Sequence, residues 1–310
     1  METIIEASEV RKSFGSVRAV DRLSFSVSAG EIYGIIGPDG AGKTTLLRMI
    51  VTLLRPDGGH LTVRGYDVSQ HMRQIRALVG YMPQRFSLYP DLSVKQNLHF
   101  FAELFNVPKE QIASRKRRLY EFSRLEEFSN RLAGRLSGGM KQKLALSCTL
   151  IHDPVLLVLD EPTTGVDPVS RTEFWNILQE LRAQGVSIVV STPYMDEALL
   201  CDHVIIMHNG CRLGDGAPAE LLARHPFPVF SLPVGGHGIT VSSLETVADV
   251  VSVQIFGETL HVTAAPNTTS AVLRSRVAEL TGQDIPVHRI DPTLEDVFIS
   301  LVLEKQNAIA

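Results

Sequence analysis

The chain has 310 residues, enough for about two domains, with 44% apolar residues and a formal net charge of −4. That charge gives no bulk electrostatic ground for a nucleic-acid partner. No uninterrupted apolar stretch approaches the ~20 residues that span a bilayer, so any membrane role must run through partner proteins. Cys148, Cys201 and Cys211 have no metal-type spacing, and an odd count suits a reducing compartment better than a disulfide framework. The N-terminus lacks the basic flank and apolar core of a secretory signal. The run Arg115-Lys116-Arg117-Arg118 reads as a solvated helix face.

In chain order, residues 4–7 and 23–27 alternate like strands. Residues 32–36 form a nearly continuous apolar strand that enters a Gly-rich loop, followed by a helix predicted over 44–54. From about 92 to 150, apolar residues recur at helical spacing through Val94, Leu98, Phe101, Leu104 and Phe105, then Leu119, Phe122 and Leu125. This reads as a helical insertion. Strands return at 155–159, 187–191 and 203–207, with the apolar character of a parallel sheet covered on both faces. The stretch His225-Pro226-Phe227-Pro228 marks a boundary. Beyond it come strands near 229–232, 250–256, 260–263 and 286–290, and helices over 270–280 and 294–303. Residues 226–310 are thus expected to form a small α+β domain. No internal repeat is visible.

The octapeptide Gly37-Pro38-Asp39-Gly40-Ala41-Gly42-Lys43-Thr44 fits the phosphate-loop pattern G-x-x-x-x-G-K-[ST]. Its glycines let successive backbone N–H groups wrap a phosphate, Lys43 reaches the β- and γ-phosphates, and Thr44 holds Mg²⁺. Asp39 either weakens binding slightly or is made harmless by solvent and Mg²⁺. Asp160, at the end of a buried strand, can hold Mg²⁺ through water, and Glu161 is placed to polarise the attacking water. Gln84 follows another short strand; it is either a sensor of Mg²⁺ and water or an ordinary loop residue. Phe14 either stacks on adenine or belongs to the core. A second anion site stands at Leu136-Ser137-Gly138-Gly139-Met140, where a Ser hydroxyl and bare N–H groups open a helix over 141–150. Two phosphate-binding turns for one nucleotide point to the second serving a neighbouring molecule.

The ordered set Phe14, Gly37 to Thr45, Gln84, Leu136 to Met140, Asp160-Glu161 and Thr163-Thr164-Gly165-Val166-Asp167 resembles an ATP-binding cassette (ABC) ATPase over roughly residues 1–225. The resemblance implies an α/β fold: a RecA-like P-loop NTPase core with an ABC helical subdomain at about 85–152, followed by the α+β domain. It implies ATP and Mg²⁺, with Lys43, Gln84 and Glu161 as the catalytic set. The nucleotide contacts would be Phe14, Gly37, Pro38, Asp39, Gly40, Ala41, Gly42, Lys43, Thr44, Thr45, Gln84 and Asp160. Thr44, Gln84 and Asp160 would serve the metal. It also implies a head-to-tail dimer in which Ser137, Gly138, Gly139 and Met140 contact the partner's ATP. The signature turn and the tail Asp291-Pro292-Thr293-Leu294-Glu295-Asp296-Val297-Phe298 are similar to the multidrug and antibiotic exporter branch with ABC-2 permeases. Further segments look like the N-terminal cassette of tandem exporter ATPases of the YbhF type, although this chain holds one cassette.

One position departs from the family pattern. After the strand at 187–191 most members have Ser-Thr-His, whereas this chain has Ser191-Thr192-Pro193. Proline offers no side-chain donor and no N–H, and losing such a donor costs about 10²–10³ in kcat. The expectation is a site that binds ATP and hydrolyses it slowly. The partner would be a second cassette, either a copy of this chain or, preferably, a different cassette that keeps the His, together with ABC-2-type membrane permeases. The placement expected is cytoplasmic, peripheral on the inner face of the membrane. In the family, the region Arg85 to Leu92 receives a helix of the permease. The competing readings are a soluble non-transport ABC ATPase and a mainly regulatory nucleotide sensor.

Overall fold

The structure is a computed structural model that describes residues 2–85, 88–234 and 239–307. The chain divides into two compact units, Met1–Ala217 and Pro218–Ala310.

The first unit is built on a six-stranded sheet. Its strands are β3 (Ile32–Ile36), β6 (Val79–Met82), β7 (Leu156–Asp160), β8 (Ser187–Thr192), β9 (His203–His208) and β10 (Cys211–Gly216). They lie in the order β10-β9-β3-β8-β7-β6. All neighbours pair in parallel except β9 and β10. Every residue of β3, β7 and β8 is buried, which explains their unbroken apolar runs. Because β3, β8 and β7 are adjacent and parallel, their carboxyl ends lie side by side. That is where an open α/β sheet places its ligand.

A second sheet comprises β1 (Thr3–Phe14), β2 (Val17–Ser28), β4 (Gly58–Val63) and β5 (Tyr66–Asp67), in the order β2-β1-β4-β5. The strands at 58–67 are absent from the sequence reading, because Gly58-Gly59-His60 carries no apolar alternation. Helix α1 (Lys43–Ile50) stops short of its predicted end at 54. Thr52 adopts φ 62°, and the amides of Leu53 and Leu54 both turn back to the Arg48 carbonyl. Helix α2 (Met72–Leu78) precedes β6, and α6 (Pro168–Ala183) and α7 (Met195–Ala198) flank β8.

The helical insertion holds α3 (Val94–Leu104), α4 (Lys109–Ser123) and α5 (Gly138–Leu150). A capping box of Ser93 and Gln96 starts α3. The basic run on α4 is only partly a solvated face. Arg115 and Arg118 both pair with Asp153, and Lys116 Nζ donates to the Lys95 carbonyl at 3.1 Å. Cys148 and Cys201 are buried, which raises both thiols above their usual range.

The second unit holds the helices α8 (Pro218–Ala223), α9 (Val241–Leu244), α10 (Ser270–Thr281) and α11 (Leu294–Asn307). Its strands are β11 (Val229–Pro233), β12 (Val250–Phe256), β13 (Thr259–Ala264) and β14 (His288–Ile290), which form an antiparallel sheet in the order β12-β13-β11-β14. Phe230, Leu232, Leu244, Val262, Leu273 and Val277 fill its core. The division falls ahead of the predicted boundary at 226 because α8 packs on α11. The prolines at 226 and 228 punctuate the end of α8 instead of separating domains.

Candidate nucleotide site

The phosphate loop leaves β3 and enters α1 around a cleft of about 430 Å³ lined by Gly40, Ala41, Lys43, Thr44, Gln84 and Glu161, among others. Two of its glycines are required by geometry. Gly37 has φ 156° and a Cβ there would lie 2.2 Å from the Met207 carbonyl oxygen. Gly42 has φ 103°, and its Cβ would lie 2.1 Å from the Ala19 carbonyl oxygen. With both bare, the loop passes these two carbonyls and brings the N-terminus of α1, the positive end of its dipole, to the cleft. Lys43 is 3% exposed. Its ammonium donates to the carbonyls of Gly37 (2.7 Å) and Pro38 (3.1 Å) and lies 3.0 Å from Glu161 Oε1.

The two carboxylates end β7 from different directions. Asp160 Oδ1 accepts from Thr44 Oγ1 at 2.9 Å and from Ser191 Oγ at 3.0 Å, while Tyr81 donates its hydroxyl to Oδ2 at 3.4 Å. Burial pushes the Asp160 carboxyl above the usual range. The Thr44 and Ser191 bonds draw it back, and the charge of Glu161 raises it further. Tyr81 is pushed up to about 12, first by burial and then by the Asp160 charge. Glu161 sits at φ 48°. Its Oε2 accepts from Gln84 Nε2 at 2.8 Å and from Thr164 Oγ1 at 3.4 Å. Among the described residues no cationic side chain pairs with the Asp160 carboxylate, and with the Thr44 hydroxyl beside it this is an oxygen donor set that fits Mg²⁺.

The structure therefore brings Lys43, Thr44, Gln84 and Glu161 together around the cleft, which Asp39 and Thr45 also line, while Gly37, Pro38 and Asp160 do not line it and Asp160 is joined to it through Thr44. Phe14 is not among the lining residues. It stands 50% exposed at the tip of the β1–β2 hairpin, with Lys12 Nζ 5.7 Å from its ring centroid. Val17, Arg18, Ala19 and Asn209 line the cleft instead. Sequence reasoning misses them because only the fold carries the hairpin and the end of β9 to the phosphate loop.

The signature turn lies outside this cleft, exposed at Ser137 and Gly138. Ser137 caps α5, accepting from the Met140 amide at 3.3 Å. Gly139 is buried against α6, where an added Cβ would lie 2.4 Å from Ser170 Oγ. Pro193 follows β8 directly. Tyr194 beside it is turned onto α6: the Arg171 guanidinium sits 4.3 Å from its ring centroid, and its amide donates to Thr192 Oγ1 at 3.1 Å. In the segment 85–92, Phe86 and Ser87 lie outside the described residues.

Comparison with known proteins agrees with this geometry. The family described as ABC transporter matches residues 20–164. The chain is 39% identical over 307 residues to the probable multidrug ABC transporter ATP-binding protein YbhF of Escherichia coli (strain K12), covering 97% of this chain and 52% of that one. It therefore spans about half the length of that relative. It is 38% identical over 306 residues to the Nod factor export ATP-binding protein I of Bradyrhizobium diazoefficiens, covering 96% of this chain and 95% of that one. CbiO1 from Clostridium perfringens, part of the ABC transporter complex CbiONQ, superimposes with TM-score 0.67 at 27% identity over 72% of this chain and 92% of its own. The cassette MJ0796, in a dimeric post-hydrolysis state bound to ADP and Pi, shares the fold with TM-score 0.63 at 24% identity, over 69% of this chain and 98% of its own. The chain belongs to the ABC transporter family of ATP-binding subunits.

Proposed function

We propose that this chain is the ATP-binding and ATP-hydrolysing subunit of an exporter, powering transport through separate membrane permeases. The observation that carries the reading is the joined set Lys43–Glu161–Gln84 beside the cleft, with Asp160 bound to the cleft residue Thr44. ATP would lie with its phosphates in the loop and its base toward the β1–β2 hairpin, where half-exposed Phe14 is accessible for stacking. As Lys43 engages the β- and γ-phosphates it leaves Glu161, whose carboxylate then accepts a proton from the attacking water. Gln84 holds the other oxygen of that carboxylate and so couples the base to the segment after β6. Mg²⁺, held by Thr44 and Asp160 with Gln84 nearby, supplies charge compensation when bound.

The partner is a second cassette whose ATP meets Ser137, Gly138, Gly139 and Met140. ATP draws the two cassettes together, hydrolysis separates them, and ABC-2-type permeases change access in step. A different cassette that keeps the switch His is favoured over a second copy, because Pro193 leaves this chain's own site short of one γ-phosphate donor. Among the described residues no helix is long and apolar enough to cross a membrane, which agrees with peripheral attachment on the cytoplasmic face through the permeases. The export reading is supported by the names of two relatives, a probable multidrug ABC transporter subunit and a Nod factor export subunit.

The test is twofold. Glu161→Gln is expected to retain ATP binding while lowering kcat by about 10²-fold or more. The unsubstituted chain, isolated from its own cells with mild detergent, is expected to carry a membrane permease. Undiminished hydrolysis by Glu161→Gln, or a soluble partner in place of a permease, would contradict the reading.

A further inference from the structure

One buried polar set remains without a role in this scheme. Ser191 and Thr192 close β8, the strand beside β7, and both are fully buried. Ser191 Oγ donates to Asp160 Oδ1 at 3.0 Å and accepts from the Glu161 amide at 3.1 Å. The same amide lies 3.1 Å from the Ser191 carbonyl oxygen. A single residue of β8 therefore touches the carboxylate of 160 and the backbone of 161.

A second clamp follows immediately. Thr192 Oγ1 donates to Glu197 Oε2 at 2.6 Å, and Thr163 Oγ1 donates to Glu197 Oε1 at 2.7 Å. Glu197 is 1% exposed. Its buried charge is offset by Arg171, whose Nε lies 3.5 Å from Oε1 and whose guanidinium covers the Tyr194 ring. A buried carboxylate bridging two hydroxyls beside a guanidinium is a directional tether. It joins the segment just past Glu161 to the end of β8.

Between the clamps, buried Glu161 holds φ 48°, a left-handed conformation that costs a residue with a Cβ about 1–2 kcal/mol and that the contacts on either side can offset. We propose that Ser191 and Glu197 are positioning residues that hold Glu161 in this conformation and thereby aim its carboxylate at the attacking water. The proposal rests on the hydrolytic reading of the site. It gives the strand before Pro193 a way to act on the base through Ser191 and Thr192, independent of the side chain at 193. A built and aimed base beside a proline is then consistent: the γ-phosphate donor is lost, and the alignment of Glu161 is kept.

The test compares the full chain with Ser191→Ala and with Thr192→Val, each of which deletes one clamp hydroxyl with little change in volume. Steady-state hydrolysis is read together with hydrogen exchange at the Glu161 amide. In both variants kcat is expected to fall about tenfold while the KM for ATP stays within about twofold, and exchange at Glu161 is expected to quicken. If Ser191→Ala fails to fold, Thr192→Val carries the test, with Glu197→Gln in support. Unchanged kcat would overturn the proposal, as would kcat, KM and melting temperature shifting together while Glu161 exchange stays the same. If the unsubstituted chain hydrolyses no ATP, the hydrolytic reading alone fails and the exchange comparison decides: quicker exchange upholds the clamps, and unchanged exchange removes them.

Discussion

At the scale of single residues, Asp160 is held at a cost that its chemistry requires. Burial disfavours its charged form, so its pKa in the fold lies above that in the unfolded chain. A raised carboxyl pKa gives stability that is full below the unfolded pKa and is lost as pH rises through the folded one. Asp160→Asn removes that loss. The Asn Oδ1 keeps the bonds from Thr44 and Ser191, and its NH₂ can donate to Tyr81. The nucleotide-free variant is expected to melt higher than the unsubstituted chain at neutral pH, with the two converging in acid; calorimetry across pH checks it. Equal melting temperatures at neutral pH would contradict the burial argument. The phosphate loop, Asp160 and Glu161 are legible in the sequence because their spacing is itself the mechanism. Ser191 and Glu197 are not, since nothing in a Ser-Thr-Pro run says that its Ser hydroxyl faces the Asp160 carboxylate, 31 residues back in the chain, or that its Thr hydroxyl faces Glu197.

At the scale of elements, the two glycines of the signature turn have different structural duties. A Cβ added at Gly138 would have its nearest neighbour, the Gly165 carbonyl oxygen, at 3.9 Å, whereas one at Gly139 would meet the Ser170 side chain at 2.4 and 2.5 Å. Gly139→Ala is therefore expected to cost about 1–3 kcal/mol of stability by forcing α5 away from α6. Gly138→Ala is expected to leave the fold nearly unchanged and to act only on the partner's nucleotide. Denaturant midpoints of the two variants separate these effects, and equal midpoints would contradict the packing. The parallel strands are readable from their apolar runs, and α5 from the Ser-Gly-Gly turn, although with Ser137 as its cap the helix starts at Gly138 and takes in both glycines, three residues ahead of the expected start at 141. Helix α6 escapes the sequence reading although Asp167 caps it and Pro168 opens it, because those residues read equally well as the loop that follows Glu161. The strands β4 and β5 escape the sequence reading and exist through pairing, β4 with β1 and β5 with β4.

At the scale of the whole molecule, the chain holds two compact units that meet in sequence at Ala217 and Pro218. The nucleotide site lies wholly in the first. Residues 1–217 expressed alone are expected to unfold cooperatively and to bind ATP in a Lys43-dependent way, whereas a fragment ending at 225 would carry α8 without its α11 partner. Thermal melting of the two fragments, with and without ATP, checks this; failure of the 1–217 fragment to bind nucleotide would contradict it. On the function proposed above, turnover at this site is slow, because Pro193 supplies no side-chain donor to a γ-phosphate. The most direct measurement is the steady-state hydrolysis of the purified chain against Pro193→His. Turnover is expected to be slow and to rise by about 10²-fold in the variant, with the KM for ATP little changed. Rapid turnover by the unsubstituted chain, unaltered by Pro193→His, would contradict it.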